Sequence, residues 1–389
     1  MEILIKNNLL FVVLISAILF SCNEATENNT KKDPFEWSVS SISDEGIDSI
    51  KIDSIHKNIV SGDYGLVDHL LIIRNGNLIF DKHYENNYDS IAQLYDTANF
   101  QFNYNHPAWH PYYKGSDLHT LQSCTKSITS LLIGIAIDEG LITNTDIKVM
   151  ELFDSYRPTE KDALKDSITL QDLLTMRGGF NWDESRIPYS DPNNNCYILE
   201  TSDNWLDYIL QVPMDTIPGT KFEYNSGITV LLGEIIRIKT GERVDKWAEE
   251  KLFKPLDITD YYWKISPNGE VDTEGGLYLS IYDFAKIGQL VLNKGSWQGK
   301  RIISEKWLQE STSQHVKPDM LDWYGYQWWL WNPKKDDYQL ILAIGYGGQY
   351  LFIDPENNLL TVMNRWNIHG SSEKSPFTIP ISVSESIIN

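Results

Sequence analysis

The sequence predicts an α/β (α+β) fold in which strands from both ends of the chain form one layer and helices lie between them. Near the N-terminus, apolar runs at residues 70–74 and 78–80 flank Asn75-Gly76-Asn77, a pattern typical of a β-hairpin. Near the C-terminus, Gly-Gly and Asp-Pro-Glu-Asn-Asn turns separate three apolar runs, which predict strands over 340–344, 350–353 and 359–363. Strands at both ends with helices between them imply an α/β layer that both termini close.

Three helices are predicted from apolar periodicity. The clearest one stops at Gly140, and its apolar residues recur at helical spacing: Ile128, Leu131, Leu132 and Ile135. Residues 229–240, closed by Gly241, and residues 281–293 show the same spacing. Residues 141–275 are interpreted as a mainly helical insertion.

Composition and charge argue against two classes of partner. The 389 residues include 33 Lys and Arg against 54 Asp and Glu, which gives a formal charge of −21. Nucleic acids and anionic membrane surfaces both require clustered basic residues, so neither is expected to bind the chain directly. With 42% hydrophobic and 22% charged residues, the chain is expected to be globular with a large core.

The first 22 residues have the pattern of a secretory signal. Lys6 precedes an apolar run over residues 9–20, which is too short for a transmembrane span. The ending Leu19-Phe20-Ser21-Cys22 resembles a bacterial lipoprotein box, which implies a lipid on Cys22; the alternative is a plain signal peptide with an incidental cysteine. We therefore expect a lipoprotein of the cell envelope, facing the periplasm or at the cell surface. Its predicted parts are a signal peptide (1–21), a lipidated tether (22–45) and a folded domain (46–389).

Neither a disulfide framework nor a metal site is expected. Besides Cys22, the chain has only Cys124, in an apolar helical run, and Cys196, in a polar stretch interpreted as a loop; both are expected to be free. His106 and His110 are four residues apart, but the proline after each of them breaks any helix that would place them on one face. No metal or other cofactor is therefore predicted.

Ser123 and Lys126 are the main candidates for chemistry. Residues three apart lie on one face of a helix, so the hydroxyl and the amine can touch across one turn. A serine needs a nearby base to attack a carbonyl group, and a lysine can serve as that base if burial and neighbouring groups lower its pKa towards neutrality. Only this pair opens an apolar helix; the alternative is a solvated surface lysine. Two other pairs share the spacing but lie in charged or polar stretches: Ser54/Lys57 and Ser371/Lys374.

Two further segments are candidates for the same site. Tyr224-Asn225-Ser226-Gly227 precedes the helix predicted at 229–240, and a tyrosine close to the lysine can relay protons. Gly345-Tyr346-Gly347-Gly348-Gln349 joins two predicted strands, and a backbone N–H there can complete an oxyanion hole. The alternatives are a packing tyrosine, one of 21 in the chain, and a plain hairpin turn.

In this order and spacing, the three segments resemble the motifs of the β-lactamase-related serine hydrolases. This superfamily includes class C β-lactamases, D-alanyl-D-alanine peptidases, penicillin-recognising esterases and 6-aminohexanoate-dimer hydrolases. The resemblance runs from about Leu66 to Trp366. It implies a β-lactamase/DD-peptidase-like fold, with an antiparallel sheet of N- and C-terminal strands flanked by helices. Flanking stretches match as well: 119–128, 168–176, 218–224 and 276–280.

The resemblance implies a role for each matched residue. Ser123 is expected to be the acylated nucleophile, Lys126 its base and Tyr224 the second general acid and base. The backbone N–H groups of Ser123 and Gln349 are expected to form the oxyanion hole. The implied reaction is acyl transfer in two steps, in which an ester on Ser123 forms and water hydrolyses it. The residues expected to contact the substrate are Ser226, Tyr346, Gly347 and Gly348.

Two departures from the family pattern bear on the substrate. Ser226 stands where the second motif often ends in Asn, and Tyr346 stands where β-lactamases usually have a lysine that helps to hold the β-lactam carboxylate. We therefore expect a hydrolase of small esters or amides, similar to the esterases and 6-aminohexanoate-dimer hydrolases. Two alternatives stay open: a β-lactamase or D-alanyl-D-alanine peptidase, and an inert binding or sensing protein of the same fold.

The expected partner is a small-molecule ester or amide. Membrane contact is expected only through a lipid on Cys22, and the protein is expected to be a monomer. Aromatic residues are dense around the predicted site, which favours an apolar acyl or amide group, with core packing as the alternative. These residues are Trp182, Tyr189, Tyr324, Tyr326, Trp328, Trp329 and Trp331.

Overall fold

A computed structural model describes residues 35–93, 117–153, 162–334, 338–368 and 372–388. The predicted signal peptide, Cys22, the histidine pair at 106 and 110, and Ser371 lie outside these residues. Within them, the helices are all too short or too polar to span a bilayer.

The strands of the described residues give the chain one large sheet and two small ones. The bounds are β1 (Ser38–Val39), β2 (Val67–Arg74), β3 (Asn77–His83), β4 (His119–Thr120), β5 (Tyr262–Trp263), β6 (Leu277–Leu279), β7 (Ser296–Trp297), β8 (Lys300–Arg301), β9 (Trp323–Tyr324), β10 (Trp329–Trp331), β11 (Leu340–Gly345), β12 (Gln349–Asp354) and β13 (Leu359–Arg365). The large sheet has the order β1-β3-β2-β13-β12-β11-β10-β9, and the small sheets are β4-β6-β5 and β7-β8.

The large sheet joins the two ends of the chain where β2 pairs with β13, for example Leu71 with Val362. Every pair of neighbours in it is antiparallel except β1 and β3. All the residues of β12 and β13 are buried, which explains why these strands appear in the sequence as apolar runs. The prediction that terminal strands form one antiparallel layer flanked by helices is confirmed.

The helices lie against this sheet and in the segment between its two halves. Their bounds are α1 (Ser49–Val60), α2 (Tyr88–Ala92), α3 (Cys124–Asp138), α4 (Leu170–Leu174), α5 (Asn195–Thr201), α6 (Trp205–Gln211), α7 (Ser226–Thr240), α8 (Val244–Ala248), α9 (Ile281–Leu292), α10 (Glu305–Ser311) and α11 (Thr378–Ser384). Short 3₁₀ or π-helical segments span Met150–Phe153, Lys165–Ser167, Glu249–Phe253 and Lys254–Leu256. Helix α9 packs on β12 and β13, α3 contacts β11 and β12, and α7 packs on α3.

Helices α3 and α7 contact each other, and the candidate site residues lie at or just before their N-terminal ends. Helix α3 is buried from residue 124 to residue 136, and Gly134 must be glycine because a Cβ there would lie 2.2 Å from Trp307 Cδ1. Helix α7 begins where the Asn225 side chain accepts a hydrogen bond from the N–H of Ile228, 3.0 Å away, and it ends at Gly241, whose φ is +75°. Both predicted helices are therefore present.

Two details of the fold differ from the prediction. Strand β1 pairs with β3 inside the segment assigned to the tether, so the folded unit begins at Glu36, before the predicted boundary at residue 46. Cys196 lies in helix α5 rather than in a loop, and its side chain is buried. The Asn194 side chain caps this helix. Cys124 and Cys196 are both free, as expected.

Candidate active site

Ser123 stands at the sharp turn that leads into α3. The residue before it, Gln122, has a φ of +49°. Residues other than glycine rarely adopt this backbone conformation, and it often marks functional sites. The Ser123 hydroxyl makes no capping hydrogen bond to the helix, and it lines a cleft. The hydroxyl therefore faces both the cleft and the first turn of α3.

The buried end of Lys126 connects the three predicted motifs. Its Nζ lies 3.1 Å from Ser123 Oγ, 3.0 Å from Ser226 Oγ and 2.8 Å from both the Oε2 and the backbone oxygen of Glu274. The whole residue is 1% exposed. The Ser54/Lys57 pair does not share these surroundings, since both residues are exposed on α1.

The surroundings of Lys126 act on its pKa in opposite directions. Burial lowers the pKa of this amine, but the Glu274 carboxylate, with smaller contributions from Tyr224 and Glu184, holds the pKa well above its ordinary value. A shift of this pKa towards neutrality, the condition under which a lysine serves as a base, is therefore not favoured, because a carboxylate 148 residues away in the sequence reaches the amine. The ammonium form of Lys126 is favoured instead.

Tyr224 completes the group around the serine. It lines the same cleft as Ser123, and its ring stacks on Trp329 with the ring centroids 5.7 Å apart. The Nζ of Lys126 lies 5.2 Å from the centre of the same ring. Burial raises the pKa of Tyr224 to about 12, so its phenol is neutral and can donate a proton.

The hairpin between β11 and β12 lies against the turn that holds Ser123. A Cβ on Gly345 would lie 2.3 Å from the backbone oxygen of Leu121, and the thiol of Cys124 donates to the backbone oxygen of Gln349 at 3.4 Å. The Gln349 side chain in turn donates to the backbone oxygen of Arg365 at 2.7 Å. These contacts fix the first residue of β12 beside the first turn of α3, where the two backbone N–H groups of an oxyanion hole are expected.

A cleft of about 510 Å³ opens above Ser123. Tyr346, Gly347 and Gly348 line it as expected, whereas Ser226 is 1% exposed and is not among the described residues that line it. The Ser226 side chain instead contacts Lys126. The lining residues are Ser123, Ser185, Arg186, Tyr189, Lys221, Phe222, Glu223, Tyr224, Pro318, Asp319, Met320, Trp329, Ile344, Gly345, Tyr346, Gly347, Gly348 and Tyr350.

The predicted aromatic cluster divides between the cleft and the core. Tyr189 and Trp329 line the cleft, whereas Tyr326 and Trp328 are fully buried and Trp331 packs against Phe377. Two aromatic residues that the prediction did not include also line the cleft: Phe222 and Tyr350.

Comparison with known proteins identifies the family. A family model described as Beta-lactamase matches residues 68–371, which is most of the chain. The chain belongs to the Beta-lactamase family. This family consists of hydrolases that generally act through an acylated serine.

Individual proteins also resemble the chain, each over a different share of its length. A 6-aminohexanoate-dimer hydrolase of Paenarthrobacter ureafaciens is 26% identical over 272 residues, which span 64% of this chain and 67% of that protein. A protein of Escherichia coli K12 provisionally named a D-alanyl-D-alanine carboxypeptidase is 28% identical over 145 residues, 36% of this chain but only 33% of its own length. A solved structure from Bacillus anthracis, provisionally described as a 6-aminohexanoate-dimer hydrolase, has a TM-score of 0.64 at 20% identity, covering 85% of this chain and 79% of the other; this likeness shows the fold.

Sequence reasoning missed two buried carboxylates of this Beta-lactamase-family site, Glu184 and Glu274. Glu184 accepts hydrogen bonds from the Ser226 N–H (2.8 Å), the Ser226 hydroxyl (2.9 Å), the Trp182 indole (2.7 Å) and the Tyr189 hydroxyl (3.1 Å). Burial raises the pKa of Glu184. Both residues are single acids in a chain with 54, and no motif distinguishes them. The matched stretch that lies closest to Glu274 in the sequence is 276–280, which begins two residues after it.

Proposed function

We propose that this chain is a serine hydrolase that cleaves small esters or amides through an ester on Ser123. The observation that carries the proposal is the position of Ser123, which lines a cleft together with Tyr224 and whose Oγ lies 3.1 Å from Lys126 Nζ. A hydroxyl next to an amine and a phenol has the proton donors and acceptors that acyl transfer needs.

In the proposed reaction, Ser123 Oγ bonds to the substrate carbonyl carbon while its proton moves to the neutral amine form of Lys126. The backbone N–H groups of Ser123 and Gln349 donate to the negatively charged oxygen that forms. Tyr224 then protonates the leaving group, and Lys126 replaces the proton that Tyr224 has lost. Water attacks the ester by the reverse route, which releases the acid and restores the Ser123 hydroxyl.

The cleft favours a neutral substrate with an apolar acyl group. Its cations are already paired, since Arg186 lies 3.1 Å from Asp183 and Lys221 lies 3.1 Å from Glu223. The neutral Tyr346 stands where a β-lactamase lysine would hold a carboxylate. Aromatic rings line the rest of the wall, and such rings suit apolar groups.

The test is hydrolysis of p-nitrophenyl butyrate by the purified protein and by Ser123→Ala. We expect turnover that the variant loses, with weak or no turnover of a chromogenic cephalosporin or a D-alanyl-D-alanine peptide. Faster turnover of the peptide than of the ester would favour the peptidase alternative, to which the name of the Escherichia coli relative points. Equal rates for the protein and its variant would contradict the proposed nucleophile, and no turnover of any substrate would favour the inert binding protein.

We also propose that the protein is a lipoprotein of the cell envelope, anchored through Cys22. The support is the sequence ending Leu19-Phe20-Ser21-Cys22 after an apolar run. Cys22→Ser should move the protein from the membrane fraction to the soluble fraction. Retention of the variant on membranes would contradict the proposed anchor.

A further inference from the structure

Glu274 is the closest ionic partner of Lys126. The two side chains are 2% and 4% exposed, and Nζ lies 2.8 Å from Oε2. Besides the two oxygens of Glu274, Ser226 Oγ accepts a hydrogen bond from Nζ, because the Ser226 hydroxyl donates its own proton to Glu184. An ammonium has three protons and no lone pair, so Lys126 in this state cannot accept the proton of Ser123.

Other titratable groups surround the Lys126–Glu274 pair and supply more carboxylates than ammonium groups. Tyr224 and Glu184 face Lys126, and the Cys196 thiol lies 3.9 Å from Glu274 Oε1. On the far side of Glu274, Lys264 Nζ lies 2.7 Å from Glu200 and 3.9 Å from Asp272. The buried cluster therefore has two ammonium groups against four carboxylates: Glu184, Glu200, Asp272 and Glu274.

An excess of buried carboxylates favours the binding of protons. Burial raises the pKa of Glu200 well above its ordinary value and that of Asp272 to about 7. In a site that excludes water, the charged form of the pair also loses much of its energetic advantage over the neutral form. The neutral form arises when one proton moves from the nitrogen to the oxygen. The 2.8 Å contact is short enough for this transfer.

We propose that Glu274 is the positioning residue that accepts a proton from Lys126 and so turns Lys126 into the base of Ser123; this inference rests on the proposed function. An Nζ–H bond breaks and an Oε2–H bond forms, which leaves a neutral amine and a neutral acid. The amine takes the proton of Ser123 as Oγ bonds to the carbonyl carbon. Lys126 then passes a proton through Tyr224 to the leaving group, and Glu274 returns its own proton to Lys126.

This exchange has a signature in the pH profile. A proton that moves from Lys126 to Glu274 stays within the pair, so the population of the active form does not depend on pH while the pair holds one proton. A lysine that must lose its proton to water behaves differently, because its active form rises tenfold for each pH unit below its pKa.

The experiment measures kcat/KM of the full-length protein for p-nitrophenyl butyrate from about pH 6 to about pH 9, with the Ser123→Ala rate subtracted. We expect no tenfold rise per pH unit in the wild type. Glu274→Gln keeps an oxygen for the Nζ–H but cannot take a proton. This variant is expected to lose at least about tenfold at pH 7, to rise about tenfold per pH unit and to recover at alkaline pH. The matched control is Glu270→Gln, in the same loop, whose carboxylate accepts from Asn268 at 3.0 Å; its profile should match the wild type.

Two results would overturn the inference: a Glu274→Gln profile parallel to that of the wild type, or a wild-type profile that itself rises tenfold per pH unit. The second result needs no variant, so it decides the question even if Glu274→Gln does not fold. Hydrolysis that is lost in Ser123→Ala but shows either result refutes the role of Glu274 alone. Hydrolysis that Ser123→Ala retains refutes the proposed function and the inference with it.

Discussion

Glu184 is the residue whose replacement tests the hydrogen-bond network around Lys126 most sharply. Its Oε2 accepts from two groups that can only donate, the Trp182 indole and the Ser226 backbone N–H. Its Oε1 accepts from two hydroxyls, those of Ser226 and Tyr189, which can also turn and accept. Glutamine can therefore place its oxygen where Oε2 lies and its NH₂ group where Oε1 lies. Alanine offers no acceptor to any of the four donors.

The two variants should differ widely in stability. In Glu184→Ala, two buried donors lose their acceptor at about 1–3 kcal/mol each, which lowers the free energy of unfolding by about 2–6 kcal/mol. In Glu184→Gln, the same two bonds survive with an uncharged acceptor, so the loss is about 1–2 kcal/mol. Both free energies of unfolding can be measured by urea denaturation at pH 7. Equal stabilities of the two variants, or an alanine variant as stable as the wild type, would refute the network.

The same group makes this difference depend on pH. Burial raises the pKa of Glu184 above its ordinary value of 4.5, so its protonated form is favoured in the folded state. Its contribution to stability is therefore complete below about pH 4.5 and is lost as the pH rises through the raised pKa. The deficit of Glu184→Gln should shrink on going from about pH 5 to about pH 8; a deficit that grows with pH would contradict the raised pKa.

Three further variants test separate parts of the site. Lys126→Met should lower kcat for p-nitrophenyl butyrate by about 10²–10⁴-fold, and a loss below tenfold would indicate another base. Gly348→Ala should lower the free energy of unfolding in urea by about 1–3 kcal/mol, because φ is +103° and the new Cβ would lie 2.7 Å from Arg365 Cδ; an unchanged stability would show that the hairpin tolerates a side chain. Trp329→Ala should lower kcat/KM more for a butyrate than for an acetate ester, and equal losses would contradict an apolar acyl site.

Most of the fold could be predicted because most of its strands and helices show a local pattern of apolar and turn residues in the sequence. Strands β11–β13 are apolar runs between turns, and α7 ends at a glycine with a positive φ. Strand β1 was missed because it is two exposed residues that pair with the edge of the sheet, and such a contact leaves no apolar pattern.

The site could be predicted only where its residues belong to motifs. Ser123, Lys126 and Tyr224 come together as the spacing and the resemblance imply. The charge of Lys126 was not predictable, because it depends on Glu274, which approaches only after α3 and the loop before β6 have packed. Ser226 is a similar case, since a helix-capping Asn225 next to it determines that its side chain points towards Lys126 rather than into the cleft.

The central claim, that Ser123 is the nucleophile, is tested most directly by locating a covalent label. The protein would be treated with a fluorophosphonate, which phosphonylates activated serines with loss of fluoride, and digested with trypsin. The peptide of interest spans residues 115–126. We expect the added mass on Ser123 alone and no labelling of Ser123→Ala. A label on another residue of this peptide, or none on a protein that hydrolyses p-nitrophenyl butyrate, would contradict the account.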